Sequence, residues 1–194
     1  MYMKSFNYIA TKLLSLLLIL QLTGCKKDAV APIDKLPAAT REGKNTFGCL
    51  VNGEAFLPKG SAFSGPNLEC YYQNIIDPNP DRNGYFFGIS ATNKAKSSKV
   101  FNVNISTNSL AIKKGSILVL QKGIIGEATA AYYVSEVPFN TEYRTDYIYK
   151  GELHITHLDE VKQIVSGTFW FDAVNDKGEK VEVREGRFDV TFTR

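Results

Sequence analysis

The sequence predicts an all-β fold: an antiparallel β-sandwich or partly open β-barrel of roughly eight to ten strands. Three observations carry this. From Thr46 onward apolar and polar residues alternate with period two, as half-buried strands require. Turn signals recur about every ten residues between these runs. No window carries a helical period with caps at both ends.

The first 24 residues stand apart from that pattern. Lys4 and Lys12 precede a short apolar run, Leu13 to Leu20. A bilayer-spanning helix needs about 20 apolar residues, so this run reads as a secretory signal (residues 1–24). It ends in "LTGC", Leu22 to Cys25, which resembles the lipobox of bacterial lipoproteins. The resemblance implies cleavage before Cys25, a diacylglyceryl thioether on its sulfur and acylation of its new amine. Two or more acyl chains anchor stably where one does not. Residues 25–45 then form the lipidated N-terminus and a flexible tether. The stretch "KKDAVAPIDKLPAATREGKN" has no period and carries Pro32 and Pro37. The single all-β domain is expected over 46–194.

Within it, "NTFGCLVNGEAFLP" reads as a hairpin about Asn52-Gly53, a favoured type I′ pair. "NLECYYQNII" follows as a strand, and "DPNPDRNG" (Asp77 to Gly84) as a turn cluster. Next come "YFFGISAT" and "VFNVNIST", the second with Phe101, Val103 and Ile105 on one face. "SILVLQ", "GEATAAYYV" and "DYIYKGELHITHL" continue the series. At the end, "VSGTFWFDAV", "KVEVRE" and "RFDVTFT" are joined by "NDKG" and by Glu185-Gly186. Phe188, Val190 and Phe192 are expected to face inward, and Arg187, Asp189 and Thr191 outward.

The lipobox, the tether, "NTFGCLVNGEAF" and "SGTFWFDAVNDKGEKVEVREGRFDVTF" together resemble an uncharacterised lipoprotein family of Bacteroidota. That resemblance covers most of the mature chain. It implies an outer-membrane lipoprotein with an all-β domain and brings no catalytic residues. Lysines follow Cys25 in "CKKDAV", so the outer membrane is expected. The motif leaves the periplasmic and surface sides open.

Charge excludes one class of partner. The precursor is formally +3. Removing Lys4 and Lys12 brings the mature chain close to neutrality, and no basic stripe remains for nucleic acid. Of the three cysteines, Cys25 goes to lipid. Cys49 and Cys70 both lie on inward parities in an oxidising compartment. A disulfide between them is the expectation, worth about 3 kcal/mol in the chain-entropy account; two buried thiols are the alternative.

Chemical motifs are sparse. His154 and His157, three apart on a strand, are expected on opposite faces and so make no metal pair. Asn79, Asp81 and Asn83, with Gly84 behind them, space oxygens like the start of a calcium loop. Position twelve is Ser90 rather than a carboxylate, which makes this a weak calcium candidate. No nucleophile elbow, phosphate loop or dinucleotide fingerprint occurs, and no cofactor is expected. The remaining lead is aromatic. Phe169, Phe171 and Ala173 alternate with Trp170 and Asp172, so an indole and a carboxylate are expected to face outward together. Tyr143, Tyr147 and Tyr149 would extend such a ligand surface. The expectation is a non-catalytic binding or structural envelope module, meeting an unknown protein or glycan. The alternative is an envelope hydrolase of glycan or peptide whose carboxylates assemble only in the fold.

Overall fold

The computed structural model describes residues 30–61, 65–79, 83–96 and 98–194. Among the described residues one 3-10 turn, Pro32–Lys35, is followed by eleven strands. These are β1 (Thr46–Val51), β2 (Glu54–Phe56), β3 (Leu68–Ile75), β4 (Gly84–Lys96), β5 (Lys99–Thr107) and β6 (Ile117–Leu120). Then come β7 (Ala128–Glu136), β8 (Phe139–Arg144), β9 (Gly151–Asp159), β10 (Ile164–Val174) and β11 (Lys180–Thr191). The all-β expectation holds.

All eleven strands belong to one sheet, ordered β2-β1-β11-β10-β9-β6-β7-β5-β4-β3, with β8 pairing β7 and β10 off that path. Among the named strands every pairing is antiparallel except β6 with β7, a single bridge between Leu120 and Ala128; two isolated bridges outside the strands, Lys59 with Asn93 and Tyr71 with Thr193, are also parallel. The sheet curls so that its last strand comes back towards its first members. The Thr193 N–H donates to the Cys70 carbonyl at 3.0 Å and the Tyr72 N–H to the Thr193 carbonyl at 2.9 Å. It is not a closed barrel. One cluster of buried apolar side chains fills the interior, from Phe47 of β1 to Phe192 beyond β11. Pro32 to Arg194 form a compact unit that contains the whole of that core.

Local chemistry explains most elements. Asn52 and Gly53 both take positive φ (49° and 82°), the geometry of the tight turn between β1 and β2. The "NDKG" turn closes β10 onto β11 with the Gly178 N–H on the Asn175 carbonyl at 2.9 Å. Val103 and Ile105 of β5 are fully buried and Asn102 and Asn104 are not. Phe188, Val190 and Phe192 point into the core as their parity predicts.

Four expectations change. First, Glu185-Gly186 is not a turn. β11 runs straight through it as a bulge, with Phe169 opposite Gly186 but Phe171 opposite Val183. The extra residue sits at Glu185, with φ of 55°. Positive φ and glycine serve a bulge as well as a turn. Second, β8 forms where no strand is expected, and residues 145–150 are a loop ahead of β9. Third, Cys49 and Cys70 are buried free thiols, not a disulfide. Their inward parity is right, and both lie in the core cluster, but no bond joins them. Burial pushes both thiols well above the ordinary thiol range. Fourth, the last part of the expected tether is docked. Thr40, Glu42, Gly43 and Lys44 all bond Asp189, and Leu36 and Pro37 lie against Gly48.

Candidate functional site

The outward face of β9, β10 and β11 holds the best-formed surface site. Phe169 and Phe171 are buried in the core, so Trp170 between them points out and is 39% exposed. Its neighbours come from register. Glu152 of β9 lies directly opposite, and Trp170 Nε1 donates to Glu152 Oε2 at 3.3 Å. On the other side the β11 bulge aims Arg184 over the indole, with the guanidinium carbon 5.5 Å from the ring centroid. Arg184 also donates from Nη2 to Asp172 Oδ1 at 2.6 Å and lies 3.8 Å from Glu182 Oε2. The indole is thus held between an acceptor and a cation, with its ring edge open to solvent. A depression of about 500 Å³ lies beside it, lined by Ala39, Trp170, Arg184, Gly186 and Arg187. Ala39 belongs to the docked N-terminal segment.

Trp170 and Asp172 therefore share the outer face. The tyrosines do not join them. Tyr143 packs on Tyr132 with centroids 6.0 Å apart, against the core. Tyr147 donates its hydroxyl to Glu127 Oε1 at 3.2 Å and lies under Lys122. Tyr149 lies under Lys180 at 4.7 Å. Both sit in the 145–150 loop rather than on the strand face.

The carboxylates of this face are held in ion pairs and hydrogen bonds. A general acid in a glycosidase is a carboxyl isolated in an apolar pocket beside an ionised partner. Asp172 and Glu182 instead share one arginine, and Glu152 is engaged by the indole.

The other candidates fall out as follows. His154 lies opposite Thr168 and His157 opposite Ser166. A register shift between Ser166 and Gly167 adds a residue to β9 there, so both imidazoles reach the outer face. The expectation of opposite faces fails because a bulge inverts parity. Among the described residues, no three His, Cys, Asp or Glu side chains converge as a metal site. Of the calcium candidates, Asp81 lies outside the described residues. Asn83 Oδ1 accepts the Asp77 N–H and Asp77 Oδ1 accepts the Asn79 N–H at 2.8 Å, which makes this segment a self-bonded turn. Cys25 also lies outside the described residues. A second groove, of about 770 Å³, runs between β8 and the 175–177 turn. Arg144 forms an ion pair with Glu142 at 2.5 Å and donates to the Tyr133 hydroxyl at 3.3 Å. Burial, then its bond to Glu142, raises the Tyr133 pKa to about 12.

Asp189 is the residue whose environment sequence reading missed. It faces away from the core, as expected, yet it is 0% exposed because residues 40–44 cover it. Burial alone would raise its pKa. Hydrogen bonds from Thr40, Glu42, Gly43 and Ser166 outweigh that and bring it to about 2. No local signal marks a carboxylate for capping by a segment nearly 150 residues away. Arg184 and Glu152 were legible from strand parity; their placement about Trp170 was not.

Residues 121–190 match the model of a family described as a domain of unknown function, DUF6252. The matched stretch takes in β7 to β10 and most of β11, with Trp170, Glu152, Asp172 and Arg184. No curated protein and no solved structure matches the chain.

Proposed function

We propose that this chain is a lipid-anchored binding module of the bacterial outer membrane, attached through Cys25, that takes its ligand on the Trp170 face. The carrying observation is the outward indole on a rigid three-strand surface, fixed by Glu152 and Arg184 and bordered by Asp172. A planar apolar ring next to charged hydrogen-bonding groups suits a sugar ring, which stacks by its C–H face and bonds by its hydroxyls. The sequence supports the anchor through the lipobox.

Trp170 is the chain's one tryptophan, so intrinsic fluorescence reports this face alone. Titration with envelope oligosaccharides should shift or quench that emission saturably, and Asp172→Ala should weaken binding several-fold. Emission unchanged across the glycan panel would overturn the ligand assignment. The anchor is tested separately in cells. Wild-type protein should carry diacylglyceryl mass at Cys25 and sediment with membranes, and Cys25→Ala should lose both. Protease treatment of intact against lysed cells then assigns the domain to the surface or the periplasm.

A further inference from the structure

The outward side chains of β10 join two depressions that lie on one line. Thr168, Trp170, Asp172 and Val174 alternate with the buried Phe169, Phe171 and Ala173, so all four face outward. Thr168 and Trp170 line the depression beside Arg184. Val174 lines the larger groove at the end of the strand. There β9, which begins opposite Phe171, no longer borders β10, and Arg144 of β8 stands opposite Val174. Because β8 runs antiparallel to β10, Asn140 and Phe139 carry the line on past the end of β10. Trp170 and Val174 are separated by about 13 Å of strand.

The groove repeats the chemistry around Trp170, an exposed ring beside hydrogen-bonding groups. The Phe139 ring lines it and is 75% exposed. Ser135 of β7 stands opposite Asn140 of β8, and with Thr141 they bring two hydroxyls and an amide to the groove. None of the three makes a side-chain hydrogen bond among the described residues. Lys180 of β11, opposite Val174, lies over the Tyr149 ring at 4.7 Å and so keeps a third aromatic group beside the line.

Charge along this line is balanced. Asp172 and Glu182 face Arg184, Glu142 faces Arg144, and Glu185 faces Arg187. Asp176 and Glu179 adjoin Lys177 and Lys180 in sequence. A polyanion or a polycation would meet like charge as often as unlike. A hydroxyl donates to the carboxylates and accepts from guanidinium and amide groups, so an uncharged polyhydroxy chain suits both depressions. We infer that the ligand is an uncharged linear oligosaccharide laid lengthwise along β10, with one unit stacked on Trp170 and another seated in the β8 groove. This rests on the reading of the Trp170 face as a sugar site, and adds a second subsite and the length and charge of the ligand. The separation exceeds one sugar ring, so a single unit reaches one depression only. A longer chain reaches both, and its second contact is intramolecular once the first is made.

The chain from Lys26 onward keeps the entire core. It is titrated by calorimetry with cello-, malto- and chitin-oligosaccharides of one to eight units. In a ladder that binds, affinity should rise at least tenfold from the shortest members to those that span both depressions. Raising salt should change it less than twofold. Phe139→Ala with Asn140→Ala, both exposed, should bring long chains down to the affinity of short ones. The same change should leave short chains and the melting temperature unaltered. Val161→Ser, an exposed apolar residue in the β9–β10 turn, should alter neither. Short chains that bind as tightly as long ones overturn the inference and leave the Trp170 reading standing. So does a groove variant that binds long chains like the unsubstituted protein, or that loses short and long chains alike. No binding by any member of any ladder overturns both readings.

Discussion

A carboxylate covered by main chain needs a full set of donors, and Asp189 has them. Thr40 Oγ1 at 2.5 Å, Ser166 Oγ at 2.8 Å and the N–H groups of Glu42, Gly43 and Lys44 at 2.9, 2.8 and 3.3 Å all point at it. Its folded pKa of about 2 lies below the reference 3.8. The ionised group therefore stabilises the fold by about 2 kcal/mol above roughly pH 4, and this is lost as pH falls through about 2. Asp189→Asn puts an amide NH₂ where acceptors are needed. It should cost roughly 3 kcal/mol in urea unfolding and speed tryptic cleavage at Arg41 and Lys44 in the native protein. Unchanged cleavage would mean that other contacts hold the segment.

Two strands owe the placement of their outward side chains to irregularity rather than to regular pairing. The β11 bulge turns Arg184 onto Trp170 while returning Phe188 and Val190 to the core. It depends on Gly186, where an added Cβ would lie 2.5 Å from the Phe169 ring. Gly186→Ala should lower stability by about 1–3 kcal/mol, measured by thermal melting, and alter Trp170 emission as Arg184 shifts. A variant of wild-type stability and emission would show that the strand absorbs the methyl without moving. The β9 bulge likewise carries His157 to the outer face. Both were read wrongly from sequence because period two assumes an unbroken ladder. β8 escaped notice for a related reason. "FNTEYR" has no fully buried residue and no alternating apolar face, and it exists because β7 offers it an edge.

At the scale of the whole molecule, one sheet wraps one core, and strand order decides which buried groups meet. Cys49 and Cys70 both enter that core without bonding. In the chain from Lys26 onward, a thiol reagent should find no rapidly reacting group in the native state and two after denaturation. Its melting temperature should be the same with and without reductant. A disulfide of the expected loop length would instead make reductant cost several degrees. Rapid native reaction at either position would show that the core opens locally there.

The sequence alone determined which side of most of the strands faces the core. Parity along a β-strand is a property of local backbone geometry, so Phe101, Val103, Phe171, Phe188 and Val190 were assignable from their own neighbours. Turn chemistry at Asn52-Gly53 and "NDKG" was legible for the same reason. The tertiary structure decided everything that depends on which strands meet. It kept Cys49 from Cys70, set Glu152 and Arg184 about Trp170, and drew Thr40 to Lys44 over Asp189. Those pairings join residues up to about 150 positions apart. Their free energy comes from closing a single curled sheet around its core, which no window of sequence contains.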